Sequence, residues 1–159
     1  MSPRAAWRLI SLGFTRVYDY VAGKMDWLGF GLPTEGALAD QPRAGSTARR
    51  DVPRCGLQDR PGEVRERVQA AGWDECAVVN DEDVLLGLLR GKHWESSAES
   101  IVEDVMSEGP ATIRPSEPLE AIAGRMQDRD VSAIVVTDSA GVLIGLLRRE
   151  DAERVLGEQ

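Results

Sequence analysis

Val142-Leu-Ile-Gly145-Leu-Leu-Arg148 repeats an earlier stretch of the chain, Val84-Leu-Leu-Gly87-Leu-Leu-Arg90, at an offset of 58 residues. The same offset relates two further apolar pairs, Val64 with Val68 and Ile122 with Met126. A unit that occurs twice in tandem predicts two half-domains that pack by pseudo-twofold symmetry. Because a junction between two such halves is concave, the repeat also predicts a ligand site between the copies.

Both copies show the same order of local patterns. Apolar residues at i and i+4 predict a helix in each copy, and Ser116 ahead of Glu117-Pro118 predicts where the second of these helices begins. A β-rich run follows, Cys76–Val79 or Ala133–Val136, and a polar turn joins it to a second apolar run. Each copy ends in a polar helix start, at Gly91 and at Arg149. The predicted order is strand, helix, strand, turn, strand, helix, which is an α/β (α+β) fold.

This order of elements resembles the CBS domain, and the pair resembles a CBS tandem over about residues 51–157. The second copy, 101–157, is the better match, whereas the first copy, 51–95, carries His93 in the place of Asp151. The resemblance implies two β-α-β-β-α repeats related by pseudo-twofold symmetry, and flat homodimers formed through the helices. The stretches that carry it in the second copy are Val105-Met106, Thr112-Ile113-Arg-Pro, Val131-Ser-Ala-Ile-Val-Val and Gly145-Leu-Leu-Arg-Arg-Glu-Asp151.

The resemblance also implies a nucleotide site in the second copy, with AMP, ADP, ATP or S-adenosylmethionine as possible ligands. An aspartate at the start of the last helix would accept hydrogen bonds from the ribose, and Arg148 stands where the family places a phosphate-binding Ser or Thr. A guanidinium can bind phosphate through two parallel hydrogen bonds. The alternative is that Asp151 caps the helix and that both neighbouring arginines are solvated. The candidate binding residues are Thr112, Ile113, Ser132, Ala133, Arg148, Arg149 and Asp151.

Residues 1–38 resemble the tail of a rhodanese domain, a helix-strand-helix remnant. Apolar residues at helical spacing predict a helix over 2–12, the alternation in Val17–Val21 predicts a strand, and a second short helix is expected from Met25. No cysteine precedes Cys55, so the persulfide chemistry of a rhodanese has no nucleophile here. Either the chain begins inside a longer gene product, which we expect, or it keeps a vestige that packs on the CBS pair. The matching residues are Arg4-Ala5-Ala6, Gly13-Phe14, Val17, Gly23 and Trp27.

Composition limits the possible partners. The 159 residues carry a net charge of −8, but residues 1–54 hold eight basic and five acidic side chains while the rest is strongly acidic. An acidic domain disfavours nucleic-acid binding, since it has no phosphate-neutralising field. No run of 18 apolar residues and no signal peptide is found, which predicts a soluble cytoplasmic protein without a membrane partner. Residues 39–50 are rich in Pro, Gly, Ser and Arg without periodicity and are expected to form an exposed linker.

The reactive side chains are expected to be structural. Cys55 and Cys76 lie in apolar stretches, where a buried free thiol is more common than a disulfide in an intracellular protein. His93 is the only histidine and no Cys-x-x-Cys occurs, so no metal site is expected. The four tryptophans share no period, which favours core or interface packing over a stacking platform, and residues 81–83 are expected to form a solvated turn.

Two functions remain open at this point. The first is a non-catalytic regulatory module that binds an adenosine-type nucleotide and dimerises through apolar helix faces. Those faces could equally form the internal core; they are Val64, Val68, Ile122 and Met126. The alternative is the C-terminal portion of a rhodanese-type sulfurtransferase fused to CBS domains, inactive here because the catalytic loop is missing. Neither makes this chain an enzyme, and neither requires a cofactor.

Overall fold

The structure is a computed structural model that describes residues 3–21, 23–36, 39–97 and 99–158. Its α-helices are α1 Pro3–Ser11, α2 Gly23–Gly29, α3 Ala44–Thr47, α4 Pro61–Ala70, α5 Val102–Val105, α6 Leu119–Asp128 and α7 Arg149–Gly157, with a 3₁₀ helix at Gly91–Glu95. Its strands are β1 Arg54–Cys55, β2 Cys76–Val79, β3 Leu85–Leu89, β4 Ser107–Glu108, β5 Thr112–Ile113, β6 Ala133–Thr137 and β7 Leu143–Arg148.

Two sheets are built in the same way, as the repeat predicts. In the first, β1 runs parallel to β2, and β2 pairs antiparallel with β3. In the second, β5, β6 and β7 have the same relations. Even the register matches, because Val78 pairs with Gly87 and Val136 pairs with Gly145, and the ladder shifts immediately afterwards in both. The sequence repeat is therefore a structural repeat.

The two hairpin turns join the copies through their backbones. A side-chain oxygen of Asn80 accepts a hydrogen bond from the Val84 amide, and Asp138 does the same for Val142, each at 2.8 Å. These local bonds fix the turns as Asx-type turns do. Leu85 then donates from its amide to the Gly141 carbonyl at 3.0 Å, and the equivalent bond runs from Leu143 to Asp83 at 2.9 Å. The pseudo-twofold axis passes between the two turns.

Each core is completed by a short helix that lies, in the chain, ahead of the strands of the other copy. Helix α5 lies ahead of β5 at the start of the second copy, but Val102 is fully buried in the core of the first. Helix α3 precedes the first copy, but Ala44 is fully buried in the core of the second. The second residue after each helix continues the exchange, because Ser107 pairs with Leu88 of β3, while Arg49 forms an isolated bridge to β7.

The expectation of an exposed linker at residues 39–50 is wrong for its second half. Arg49 and Leu146 exchange two backbone hydrogen bonds, at 2.9 and 3.0 Å, and Ala48 is 8% exposed. The backbone approaches so closely that a Cβ at Gly145 would lie 2.5 Å from the Arg49 carbonyl oxygen. At Gly87 a Cβ would lie 3.0 Å from the Ser107 carbonyl oxygen. In both copies a larger side chain at this position, Gly87 or Gly145, would collide with the backbone that crosses it, which explains the glycine.

The helix faces proposed as a dimer interface lie inside the monomer. Val64 and Val68 of α4 are each 1% exposed, and Ile122 and Met126 of α6 are equally inaccessible. Neighbouring residues of β6 point to different cores, since Val135 packs with the first copy and Val136 with α6 and α7. This division follows from the period-2 geometry of a strand. Of the two roles considered for these faces, the structure assigns the internal core.

The N-terminal segment only partly follows its prediction. Helices α1 and α2 form where expected, but residues 17–21 form no strand. Within the described residues no other strand lies beside this segment to take up its backbone hydrogen bonds, which a strand requires. Its large apolar side chains stay exposed, with Tyr18 75% and Val21 93% accessible.

The start of α6 also differs from its prediction. Glu117 accepts a hydrogen bond from the Arg114 amide, and the helix begins only at Leu119.

Cys55 and Cys76 are buried free thiols, as predicted. No helix among the described residues has both the length and the apolar character needed to cross a membrane. In the same part of the chain, no cluster of His, Cys, Asp and Glu side chains is suited to hold a metal ion.

Candidate functional site: two clefts related by the repeat

An open cleft of about 300 Å³ lies between the copies. The second copy supplies most of its wall from β5, α6 and β6, and the first sheet closes one side with residues at the end of β3 and with Ser107 of β4. Its apolar lining residues are Leu88, Pro110, Ala111, Ile113, Ile122, Met126, Val131, Ala133, Ile134 and Val135. A cavity of this volume and character is suited to a small, partly apolar ligand.

Three arginines and no acidic residue are among the described residues that line this open cleft. Arg90 comes from the end of the first copy, while Arg125 and Arg129 come from the last turn of α6 and the residue after it. Arg125 also pairs with Glu117 at 3.0 Å, an exposed ion pair of small energetic value. The cleft therefore concentrates positive charge within the acidic part of the chain, where a bound anion would otherwise be repelled.

A second cavity, of about 450 Å³, adjoins the open cleft and contains His93. The two cavities share Arg90 and Ser107. The Nδ1 atom of His93 accepts a hydrogen bond from the Arg90 amide at 3.0 Å, and Nε2 lies 3.3 Å from the Ser107 hydroxyl. Burial and the positive charges of Lys92 and Arg90 lower the pKa of His93. Because Nδ1 accepts a hydrogen bond, the proton of a neutral imidazole lies on Nε2, from which it can be donated to the Ser107 hydroxyl.

In the first copy, Trp73 occupies the position equivalent to Val131 of the open cleft, and its indole takes up space between the copies. A separate cavity of about 250 Å³ is lined by Trp73 together with residues of α4 and the 3₁₀ helix. The indole is 2% exposed. The guanidinium carbons of Arg49 and Arg148 lie over its ring, 4.6 and 4.3 Å from the centroid. Arg148 also forms an ion pair with Glu75 at 3.3 Å, and both of these side chains are largely buried. Cation–π contacts of this kind are strongest when water is excluded.

The seven residues predicted to bind a ligand fall into separate groups. Three of them line the open cleft: Thr112, Ile113 and Ala133. Ser132, Arg148 and Arg149 line a smaller cavity of about 260 Å³ with Asp74, Glu75 and Glu150. The structure does not bring these residues into one cavity, because Arg148 extends toward Trp73 and Glu75 of the first copy, whereas Arg90 of the first copy lines the open cleft. The last arginine of each copy thus lies at the cleft that is formed mostly by the other copy.

Asp151 lines neither cleft and does not cap α7. It is the third residue of that helix, whose N-cap is Arg148. One carboxylate oxygen accepts a hydrogen bond from Arg154, and the other is buried without a partner. A carboxylate in the first turn is favoured by the helix dipole. The N-cap alternative for Asp151 is therefore wrong, and its role in binding a ligand stays a prediction.

The arginines of the open cleft were missed by sequence reasoning. Arg90 could have been found, because it is the repeat counterpart of Arg148 at the 58-residue offset. Arg125 and Arg129 occupy ordinary positions at the end of a helix, and only the packing of that helix beside β5 turns them toward a cavity.

Comparison with known proteins relates the second part of the chain to a known domain family. Residues 102–158 match the CBS domain family. The cytosolic domain of the Mg²⁺ channel MgtE, solved with ATP, matches with a TM-score of 0.65 and 22% identity over 75% of this chain and 51% of that one. The CBS-pair protein CBSX2 from Arabidopsis thaliana matches with a TM-score of 0.66 and 18% identity over 74% and 96%. A CBS domain pair in complex with 5′-methylthioadenosine and S-adenosyl-L-methionine matches with a TM-score of 0.65 and 16% identity over 74% and 98%.

Several curated relatives are much longer than this chain. A homoserine O-acetyltransferase of Methanococcoides burtonii is 34% identical over 85 residues, which make up 50% of this chain and 17% of that protein. An L-aspartate semialdehyde sulfurtransferase of Methanosarcina acetivorans is 29% identical over 100 residues, 59% of this chain and 20% of that protein. The chain thus spans about a fifth or less of the length of these relatives.

Proposed function

Because the chain carries a CBS domain at residues 102–158 and has the fold of a CBS domain pair, we propose that it is a regulatory module. Its ligand is an adenosine-type nucleotide that binds in the open cleft. The observation that carries this proposal is the combination of an apolar wall, which suits a base, with three arginines, which suit phosphate. Solved proteins of this fold are described in complex with ATP and with AMP, which supports the same ligand class.

The charges around the cleft favour a phosphorylated ligand. Arg90, Arg125 and Arg129 would interact with an anionic group, whereas the sulfonium of S-adenosylmethionine would meet like charge. No carboxylate lines the described part of the cleft, so the ribose hydroxyls would instead face Thr112 and Ser107. We therefore expect AMP, ADP or ATP to bind more tightly than adenosine or S-adenosylmethionine.

Regulation follows from the position of the cleft between the copies. A ligand there contacts Arg90 and Ser107 of one side and Ile113 and Ala133 of the other. Binding would stabilise one arrangement of the two copies relative to others, and an attached or partner protein could respond to that arrangement. The module itself is cytoplasmic and non-catalytic in this proposal. A homodimer remains a prediction, and it would have to use surfaces other than the buried faces of α4 and α6.

Calorimetric titration with AMP, ADP, ATP, adenosine and S-adenosylmethionine tests the proposal. Arg129→Ala should weaken ADP by roughly 10- to 150-fold, because a hydrogen bond to a charged group is worth ~1.5–3 kcal/mol. The same substitution should change adenosine little. Arg8→Ala in α1 is the matched control, since it removes the same charge from a residue that does not line the cleft. No binding of any nucleotide at millimolar concentration would refute the proposed function.

A second candidate function is a regulatory part of a longer enzyme. The observation that favours it is that the matched segment forms 17% of the acetyltransferase relative and 20% of the sulfurtransferase relative. We expect the chain itself to transfer no sulfur from thiosulfate to cyanide. Hydrogen bonding to Cys55 and burial both raise the pKa of the Cys76 thiol, which keeps it from forming a nucleophilic thiolate. Transfer above background that is lost in Cys55→Ser or Cys76→Ser would contradict this.

A further inference from the structure

We propose that the first copy contains a second ligand cleft that Trp73 and Glu75 occupy from within, so that a fold with two equivalent positions offers one exchangeable site. The inference rests on the proposed function for its ligand, but its structural basis is independent of ligand identity. It concerns which residues fill one cleft and leave its counterpart open.

The equivalence follows from the gap-free offset of 58 residues between the copies. Three residues that line the open cleft have their counterparts in contact with one another around the filled one. Val131 corresponds to Trp73, Arg90 to Arg148, and Ser107 to Arg49. The apolar wall is preserved as well, since Ile113 and Met126 correspond to Cys55 and Val68, which are both buried.

Trp73 takes the place of an aromatic ring in the filled cleft. Two guanidinium groups lie over its indole at 4.3 and 4.6 Å, which is the geometry of an arginine stacked on a bound base. Arg49 in turn pairs with the Asp51 carboxylate at 3.4 Å. The indole ring is therefore held between two arginines that come from distant parts of the chain.

Glu75 takes the place of the anionic group. It neutralises Arg148 at 3.3 Å, whereas the counterpart of Glu75 in the open cleft is Ala133, which has no charge to offer Arg90. The sequence Trp73-Asp-Glu75 thus supplies, from within the chain, an aromatic ring and a negative charge. These are the two features that the open cleft, with Val131-Ser-Ala133, would have to take from a nucleotide.

Exchanging these residues between the copies tests the inference with ADP as the probe. The double variant Trp73→Val/Glu75→Ala should bind two equivalents of ADP in calorimetric titration, against one for the unaltered chain. Val131→Trp places the indole in the open cleft and should abolish the single binding event up to millimolar ADP. Circular dichroism and thermal unfolding establish that each variant is folded.

The outcomes separate this inference from the proposed function. A folded double variant that still binds one equivalent overturns the inference. If the unaltered chain binds no ADP but the double variant binds one equivalent, the proposed function fails while the filled cleft is supported. If the double variant does not fold, Val131→Trp decides alone: retention of ADP affinity within twofold overturns the inference, and loss of binding supports it. Arg8→Ala serves again as the control, with stoichiometry and affinity unchanged.

Discussion

Gly145→Ala should destabilise the protein because the added methyl group displaces the backbone at Arg49, which crosses β7. The added Cβ would lie 2.5 Å from the carbonyl oxygen and 3.0 Å from the carbonyl carbon of Arg49. Ordinary van der Waals contact begins near 3.4 Å, so the crossing backbone must move by almost 1 Å. That movement lengthens the two hydrogen bonds between Arg49 and Leu146, now 2.9 and 3.0 Å.

The expected magnitude follows from these contacts. Overpacking at a site that cannot relax typically costs ~1–3 kcal/mol. Weakening of the two backbone bonds adds to this, and the lower flexibility of alanine in the unfolded chain offsets ~0.5–1 kcal/mol. We expect a net loss of about 1–3 kcal/mol in the free energy of unfolding, or roughly 2–12 °C in melting temperature for a chain of this size.

Urea and thermal unfolding followed by circular dichroism measure the effect. Gly124→Ala is the matched control, because Gly124 lies within α6 and a Cβ there would meet nothing within 4 Å. It should stabilise the protein by about 0.5–1 kcal/mol, the usual gain for alanine over glycine in a helix. A change of less than about 0.5 kcal/mol in Gly145→Ala would refute the close packing of residues 48–49 on β7, since overpacking costs more than that.

Three further predictions concern the segment boundaries, a histidine and the thiols. Removal of residues 1–41 should leave a cooperative thermal transition, whereas removal of residues 1–50 should lower its midpoint because α3 is then lost from the second core; equal midpoints would contradict this. The pKa of His93 is lowered in the folded state. Its contribution to stability is therefore present above the unfolded pKa near 6.5 and is lost as the pH falls below that value. His93→Gln should flatten this pH dependence of the free energy of unfolding between about pH 5 and pH 7. Cys55 and Cys76 are buried, so a thiol reagent should label neither of them within minutes under native conditions. In roughly 8 M urea, which unfolds most proteins, it should label both rapidly. Rapid labelling of the native protein would show that the core is open.

The order of the elements was predictable because its signals are local. Apolar spacing located α4 and α6 through Val64, Val68, Ile122 and Met126, and the structure buries all four residues. The polar turn at residues 80–83 is fixed by bonds within the turn itself, so its sequence was sufficient to place it. The strand predicted at residues 17–21 does not form, because its formation depends on a distant part of the chain. An alternating pattern gives a strand only where a neighbouring strand can pair with it.

The repeat in the sequence by itself determined that two similar halves would face each other, but not which residues would meet between them. Only the tertiary structure decided that α3 packs in the core of the second copy and α5 in the core of the first. It alone also decided that Arg148 contacts Trp73 of the first copy while Arg90 lines the open cleft of the second. Sequence offsets record equivalence between copies, whereas contact depends on how the backbones cross at the pseudo-twofold axis. For that reason Trp73 and Val131 are equivalent in sequence, yet one fills its cleft and the other lines an open one.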